Sequence, residues 1–594
     1  MKPCLHSRSS AGYALLVVLL FVGVTIIILA GTVNRTHSSA LQTARNVEYN
    51  ANLAAAEAAT EKITANVMDD FRVGGDTLVM NSLASYRAMI PTSSENSYWS
   101  NFAFSDVSGT VGQTYVERTQ SPTWGALGYQ YKGLSGYNSI YRVISGAKRV
   151  GSRFAMTNAV QQDVETAGIP VFQFAIFYNS DLEFAGVGTM MVSNGPVHAN
   201  GNLYLGPGSG SSLTFNDLVG ITGSIITTNW AGRTAANMSG SVTYAGGIVT
   251  NTTALTLPIG TNNTAAAVRE VINIPPAGET NTALANQRFY NKSQLTILVS
   301  NNTVVAWAKD GLGDTNVANI NFTSNNVAFF LNTNVSFTDQ RESKTITTSQ
   351  IDIGKFNIWA ATNTAVQSQT NLTGGKVPNI VYIADLRTTN STTLTGIRLT
   401  NAATLATNNN GLTLATPNPL YVLGDYNAPN AAFRGTTNTT ASMPASLISD
   451  AITILSSAWT DANSTASYTS RNAANTTINS GIIAGVVYST GSSYAGYSGG
   501  ANNLPRLLEN WSGRTNTING SMINLYNSVM ATGQFIDPGS GSASIYYTPP
   551  TRQYNFDLNF RDPLKHPPGT PYLRPTIRVG WATPPPGVTN YVGP

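Results

Sequence analysis

Between Ala11 and Val33 the chain reads AGYALLVVLLFVGVTIIILAGTV, a run without a single charged residue. About twenty apolar residues are what an α-helix needs to cross the hydrocarbon core of a bilayer, and a helix can do so because it satisfies its own backbone groups in lipid. Two uses are open: a retained anchor over 13–33, or a secretory signal. A Sec-type signal has an apolar region of about 7 to 15 residues, shorter than this one, so retention is the expected outcome. Lys2 and Arg8 ahead of the run favour a cytoplasmic N-terminus, although Arg35 and Arg45 beyond it weaken the asymmetry. The expected localisation is a bacterial inner membrane, crossed once, with the body of the chain in the periplasm or on the cell surface.

The helical pattern does not end with the apolar run. Residues 34–72 lack Pro and Gly, are rich in Ala, and space Ala40, Ala44, Val47, Ala51, Ala54, Ala58 and Ile63 by three to five positions. That pattern predicts an amphipathic helix continuing out of the membrane. From 13 to 72 such a helix would run about 90 Å at 1.5 Å per residue. Gly74 and Gly75 supply its expected stop, giving a stalk over 34–75.

A short basic leader, a small residue, an apolar helix and an amphipathic extension together resemble the class III prepilin signal of type IV pilins and pseudopilins. AAAEAA at 54–59 resembles the segment that follows the membrane helix in PilX-type minor pilins. The resemblance implies a leader of residues 1–12, with Gly12 its last residue and Tyr13 the first mature one, cut by a prepilin peptidase on the cytoplasmic face. It also implies other pilin or pseudopilin subunits as partners. Most major pilins carry a Glu at the fifth mature position, where this chain has Val17. A carboxylate in the bilayer costs about 2.5–3.5 kcal/mol on insertion scales and needs a partner such as a neighbouring subunit's amino terminus. Val17 cannot form that pair. The K-type minor pseudopilin at the tip of type II secretion pseudopili also lacks it, so the resemblance implies a minor or tip subunit. A single-pass anchor with no filament is the alternative.

Length alone, at 594 residues, suggests several domains or one core spread along an axis. Charged residues make up 10% of the chain, yet 42% is hydrophobic, with 26 Tyr, 20 Phe and 8 Trp, enough apolar material to oppose the entropy of ordering. A net charge of +4 over this length defines no nucleic-acid groove. Cys4 is the only cysteine, which excludes an intramolecular disulfide and any Cys-based zinc or thiol chemistry. His6, His37, His198 and His566 are scattered, with no second His at metal-ligand spacing. No metal, cofactor or catalytic residue is expected.

The fold expected is mainly β with an N-terminal helix: the transmembrane and stalk helix, a mixed α/β segment at 76–165, a β-rich body at 166–490 and an aromatic, Pro-rich region at 491–594. Dense β sequence begins at GIPVFQFAIFYN (168–179), followed by Asn-Gly corners at Asn194 with Gly195 and Asn200 with Gly201. Short strands between Gly, Asn or Asp corners then recur, among them VAFFLNTNVSF, FNIWAAT, NIVYIADL and NPLYVLGDYN. Such strands suit a sandwich, a barrel or a solenoid. Sparse charge and Asn- and Thr-rich corners able to stack as ladders favour the solenoid, at roughly 25 residues per coil. A helix is expected at ASLISDAITILSSAW (445–459), where Ile448, Ile452, Leu455 and Trp459 share one face. GPVHANGNLYL, GLTLATPNPLYVLGDYN and ASLISDAITILSSAW resemble blocks of large PilX-like proteins, and NNLPRLLENW resembles the hormogonium polysaccharide biosynthesis protein A. That likeness implies a surface assembly role.

GYSGG at 496–500 matches G-x-S-x-G, with Ser498 in the nucleophile position, but the strand before it ends early and a flexible loop accounts for it better. Asp425, Asn427 and Asn430, and separately Asp310, Asp314 and Asn316, offer oxygen ligands without the terminal Glu of a calcium loop, so corner-capping is expected. His198 reads as structural, and Arg506 with Glu509 as an i,i+3 pair on a short helix beside Trp511. The expected function is a non-enzymatic, membrane-anchored pilin-like subunit acting in pilus or pseudopilus assembly or in adhesion, with surface polysaccharide a further partner. The rivals are a β-helical enzyme on surface polysaccharide, which needs clustered carboxylates, and an anchored adhesin unrelated to pili.

Overall fold

The computed structural model describes residues 11–128, 131–185, 190–192, 194–228, 230, 232, 239–309, 320–369, 372, 374–408, 410–490, 493–537, 541–585 and 587–591. A long apolar N-terminal helix leads into a β-rich body of mixed sheets. Helix α1 spans Ala11–Arg87, 77 residues, and is kinked at Gly75, whose φ of 68° lies in the left-handed region that favours glycine. The expected stop is therefore a change of direction, after which the helix resumes.

Burial along α1 is one-sided. Glu48, Asn52, Ala55, Ala56, Ala59, Ile63, Val67 and Phe71 are buried, the three-to-four spacing of a single helical face. That face packs on an antiparallel sheet made by Phe102–Ser105, Tyr115–Ala126, Ser135–Arg149 and Thr157–Pro170, joined by Thr576–Ala582 from the far end of the chain. Ala55, Ala56 and Ala59 meet Phe102, Phe104, Ala147 and Val160. Methyl-sized side chains let the helix approach the sheet closely. Further along, Ile63, Val67, Phe71, Val79 and Tyr86 pack on Val116, Tyr141 and Val143. Each large apolar side chain buried here contributes about 1.5–3 kcal/mol, far more than intrinsic helix propensity.

The remainder of the chain is inserted between two neighbouring strands of that sheet. It leaves at Pro170 and returns at Tyr572, and these two residues are themselves paired. Inside the insertion, strands starting at Ile176, Val197, Val219 and Ile248 pair in parallel, each on its predecessor. The chain then crosses toward the opposite end of the same sheet, to Leu295–Val299, beyond which only Val304–Ala308 and Ile320–Phe322 follow among the described residues. From there the parallel strands Ile380–Asp385, Leu412–Ala415, Ala445–Ser449, Thr476–Ala484 and Thr515–Asn524 advance back, until Met522–Asn524 pairs with Ile176–Tyr178. A second parallel series, Lys344–Asp352, Thr393–Thr400, Leu420–Leu423, Ile452–Leu455 and Pro505–Leu507, runs alongside. One apolar core extends between these layers.

In-register asparagines form side-chain ladders across these strands. Asn555 Nδ2 donates to Asn519 Oδ1 at 3.0 Å, and Asn519 Nδ2 donates to Asn479 Oδ1 at 2.9 Å. A second ladder links Thr548, Asn510 and Asn472, with Oγ1–Oδ1 and Nδ2–Oδ1 distances of 2.6 and 2.9 Å.

Two local expectations are corrected. Residues 445–459 hold no helix: Ala445–Ser449 and Ile452–Leu455 are two strands, fully buried and paired in parallel on both sides. Short apolar runs buried on both faces imitate helical spacing, and here the sheet neighbours decide. Conversely FNIWAAT is helical, within Ile353–Thr362, because Asp352 caps the helix by accepting from the Lys355 N–H at 2.9 Å and Phe356, Trp359 and Ala360 face the core.

Candidate functional site

The N-terminal half of α1 stands away from the body. From Tyr13 to Val47 no residue is buried, and Leu15 and Ile27 are 66% and 72% exposed. The helix is long and apolar enough to cross a membrane. Its hydroxyls turn back onto its own backbone: Thr25 Oγ1 donates to Phe21 O at 2.7 Å and Thr32 Oγ1 to Leu29 O at 2.9 Å. Those threonines present methyl groups rather than unpaired donors to the surroundings. Gly12 and Tyr13 both lie within α1, and Tyr13 is 78% exposed. Residues 1–10 of the expected leader lie outside the described residues.

The docked half is fixed at three points. Buried Glu48 accepts from the Ser152 hydroxyl, while Asn52 Nδ2 donates to Met156 O at 2.9 Å. Beside the kink, Asp76 accepts from Arg118 Nη1 at 2.6 Å and from the Tyr141 hydroxyl, which burial and this carboxylate push well above its ordinary pKa. Arg574 Nη1, arriving from the C-terminal region, donates to Val73 O at 3.0 Å and lies 3.5 Å from the carbonyls of Phe71 and Arg72. A cation at the carbonyl end of the first helical segment opposes its dipole favourably.

The remaining side chains singled out by sequence fall into structural roles. Asp425 accepts from the Thr477 N–H at 2.8 Å and pairs with Arg434 at 3.0 Å. Asn427 donates to the carbonyls of Met443 and Asn479, and Asn430 accepts from the Ala432 N–H. All three brace corners. Asp310, Asp314 and Asn316 lie outside the described residues. Among the described residues no group of three His, Cys, Asp or Glu is placed to hold a metal.

His198 is 4% exposed, stacks on Phe177 with ring centroids 5.4 Å apart, and bonds Asn200 Oδ1 through Nε2 at 3.0 Å. Burial lowers its pKa to about 4, so it is neutral at physiological pH. Arg506 and Glu509 are not a helical pair. Pro505–Leu507 is a strand, Arg506 reaches Glu342 and the carbonyls of Ala531 and Gly533, and Glu509 accepts from the Ser456 N–H and hydroxyl at 2.6 and 2.7 Å. Parallel pairing of Arg506 with Thr453 fixes the extended backbone. Trp511 is fully buried in the main core.

Ser498 lies in a loop, as expected, between the short turns Tyr494–Gly496 and Gly500–Asn503, and it is held there by hydrogen bonds. It is 9% exposed, its hydroxyl donates to Glu183 and accepts from the Gly500 N–H at 2.9 Å, and its own N–H donates to Ser489 Oγ at 2.9 Å. None of these bonds involves a histidine; the acceptor of the serine hydroxyl is the Glu183 carboxylate. Glu183, which sequence reading passed over, is the centre of this cluster; its only signal in the sequence is a carboxylate in a strand of apolar neighbours.

No protein-family model matches the sequence, and no curated protein matches it. Among solved structures the chain is similar to the competence-associated pilin ComZ from Thermus thermophilus, at 10% identity, over 90% of this chain and 98% of that one. The TM-score is 0.24, a value at which the likeness carries no weight for fold or function.

Proposed function

We propose that this chain is a membrane-anchored, pilin-like subunit of the minor or tip kind, inserted as a prepilin, cut between Gly12 and Tyr13 and built into or onto a type IV pilus or pseudopilus. The observation that carries this reading is the division of α1: an exposed apolar half followed by a half docked, through one small-residue face, on an antiparallel sheet. An exposed apolar rod of this length needs either lipid or the equivalent rods of neighbouring subunits around it. Val17 in place of a carboxylate suits a subunit present in few copies. The body then lies on the periplasmic side or at the cell surface as an adhesive, non-enzymatic surface. Its parallel strand series and asparagine ladders support a solenoid-like winding in two stacks that meet at Ile176–Tyr178.

The test is N-terminal sequencing of the membrane-fraction protein with Gly12→Leu as a comparison. The expected result is a mature chain beginning at Tyr13 and a variant heavier by about one kilodalton, the mass of a short leader. Identical N-termini in the two proteins, or a wild-type chain beginning beyond Val33, would defeat the reading.

A further inference from the structure

The strands Ser135–Arg149 and Thr157–Pro170 are joined by a turn at 150–156, and the segment at 97–101 lies beside it, the Val150 N–H donating to Asn101 O at 2.9 Å. This is the end of the antiparallel sheet that faces the apolar run of α1. Tyr141 and Val143 pack with Ile63, Val67 and Phe71, Ala147 with Ala55, Ala56 and Ala59, and Ser152 bonds Glu48, so the strand advances toward the start of the helix. We infer that this end of the body docks on the anionic phospholipid headgroups of the leaflet from which α1 emerges, with Lys148, Arg149, Arg153 and Arg45 supplying the positive charge. The inference rests on the membrane anchoring proposed above.

Charge is the first support. Over residues 34–56 and 135–162 the only carboxylate is Glu48, and it is buried and bonded to Ser152. Arg45, Arg149 and Arg153 are exposed and Lys148 is half-buried. The nearby Arg142 is paired with Asp163 at 2.7 Å, whereas none of these four makes an ion pair among the described residues. Cations gathered without counter-charge repel one another, and a layer of phosphates relieves that repulsion.

Distance is the second. Leu41 and Ala44 are already half-buried, so the body meets α1 from about eight residues beyond Val33, or about 12 Å of helix. A bilayer of about 40–45 Å around a hydrocarbon core of about 30 Å has headgroup layers of roughly 5–7 Å on each side. The remaining gap of about 5–7 Å lies within the Debye length of about 8 Å at physiological salt. It is narrower than a single α-helix, about 10–12 Å across, which leaves no room for a folded partner or a nucleic-acid duplex between the turn and the lipid. Nor can the turn swing away: Glu48 holds Ser152, and Asn52 Nδ2 donates to Met156 O at 2.9 Å.

The third support is apolar. Val150 at the tip is 60% exposed, Tyr98 beside it is 52% exposed, and the Arg153 guanidinium lies 4.9 Å from the centre of the Phe154 ring. Aromatic and aliphatic side chains interleaved with cations suit the interface between water and acyl chains.

The test uses the full chain with Cys4→Ser and Ser97→Cys, a fluorophore on the new thiol, added to preformed phosphatidylcholine vesicles that carry nitroxide on some headgroups. Vesicles with and without about 30% phosphatidylglycerol are compared after flotation. The expected result is quenching at least about threefold stronger on the anionic vesicles, because each cation near such a surface favours contact roughly fivefold. The difference should vanish in about 1 M salt, where the Debye length is about 3 Å. It should vanish too in the triple variant Lys148→Gln, Arg149→Gln, Arg153→Gln, which leaves the Glu48 and Asn52 bonds in place. Equal quenching on both vesicles, or a difference that survives salt and the triple variant, would overturn the inference and leave the anchoring intact. Loss of the difference on adding micromolar duplex DNA at physiological salt would assign the patch to a soluble polyanion and overturn it as well. Failure to float with neutral vesicles would defeat the anchoring, and this inference with it.

Discussion

Asn519 offers the sharpest test of how the body is held together. It is 1% exposed and sits in the middle of the all-asparagine ladder, accepting from Asn555 Nδ2 at 3.0 Å and donating to Asn479 Oδ1 at 2.9 Å and to Thr436 O at 2.8 Å. Asn519→Ala deletes three hydrogen bonds of about 1 kcal/mol each and strands the buried Asn479 oxygen, for a total cost of about 3–4 kcal/mol. Local opening of the rungs at Thr515–Asn524 and Thr551–Phe556 should then be roughly 10²–10³-fold more frequent, read as amide hydrogen exchange in peptides from those strands. Asn519→Asp keeps the shape but sets a carboxylate against two acceptors, so its folded pKa rises above the unfolded value of about 3.9. The native state then holds the proton more tightly than the unfolded one, and stability falls as pH climbs from about 4 through the raised value. Exchange in this variant, corrected for intrinsic rates, should be faster at pH 7 than at pH 5. The exposed Asn302→Ala is the control, expected within about 0.5 kcal/mol of wild type. Should Asn519→Ala match that control, the ladder is ornament and the backbone pairing alone carries the stack.

Two further outcomes can be checked on the same protein. His198 has a folded pKa of about 4 against an unfolded value of about 6.5, so the unfolded chain takes up the proton first. Its contribution is complete above the unfolded value and is lost as pH falls through the window toward 4, about 2–3 kcal/mol by pH 4.5; a His198→Phe variant should lose less stability in urea between pH 7 and pH 4.5 than wild type. Arg574→Ala removes the cation that caps the first segment of α1 and should cost about 1–2 kcal/mol, read as faster trypsin cleavage near Gly75. Arg578→Ala breaks only the exposed pair with Glu61 and should leave that cleavage rate almost unchanged.

What could be read from the residues alone follows the range of the interactions. Helix α1 was legible because its determinants are local: an uncharged run, then small residues at helical spacing. The cap that Asn430 places on the Ala432 N–H was legible for the same reason, whereas the partners of Asp425 and Asn427, Thr477 and Asn479, lie 52 positions away. The segments around Phe356 and Ile452 were misread because aromatic and β-branched content does not separate a buried helix turn from a buried strand; only the neighbours across the sheet do. Asp352, a good N-cap ahead of Phe356, was the available local signal. Ser498 and Glu183 are 315 positions apart, and Thr576–Ala582 joins a strand over four hundred positions earlier, so no spacing rule reaches them. The same holds for Arg506, whose partner Glu342 lies 164 positions earlier, in the turn between Leu331–Asp339 and Lys344–Asp352.

The chain leaves the helix-bearing sheet at Pro170 and re-enters it at Tyr572, and those residues face each other across the antiparallel pair, beside the Val171 N–H bond to Pro571 O at 3.0 Å. Everything between them hangs from one doorway. Such a cassette is joined to the helix-bearing sheet by two adjacent chain crossings and by the packing of Leu127, Leu134, Ala167 and Ile169 into its core. A tug on its outer end would arrive at that doorway as a peeling force, opening the Tyr572 and Leu573 pairs one after another, so the joint yields gradually under load instead of snapping along its whole length.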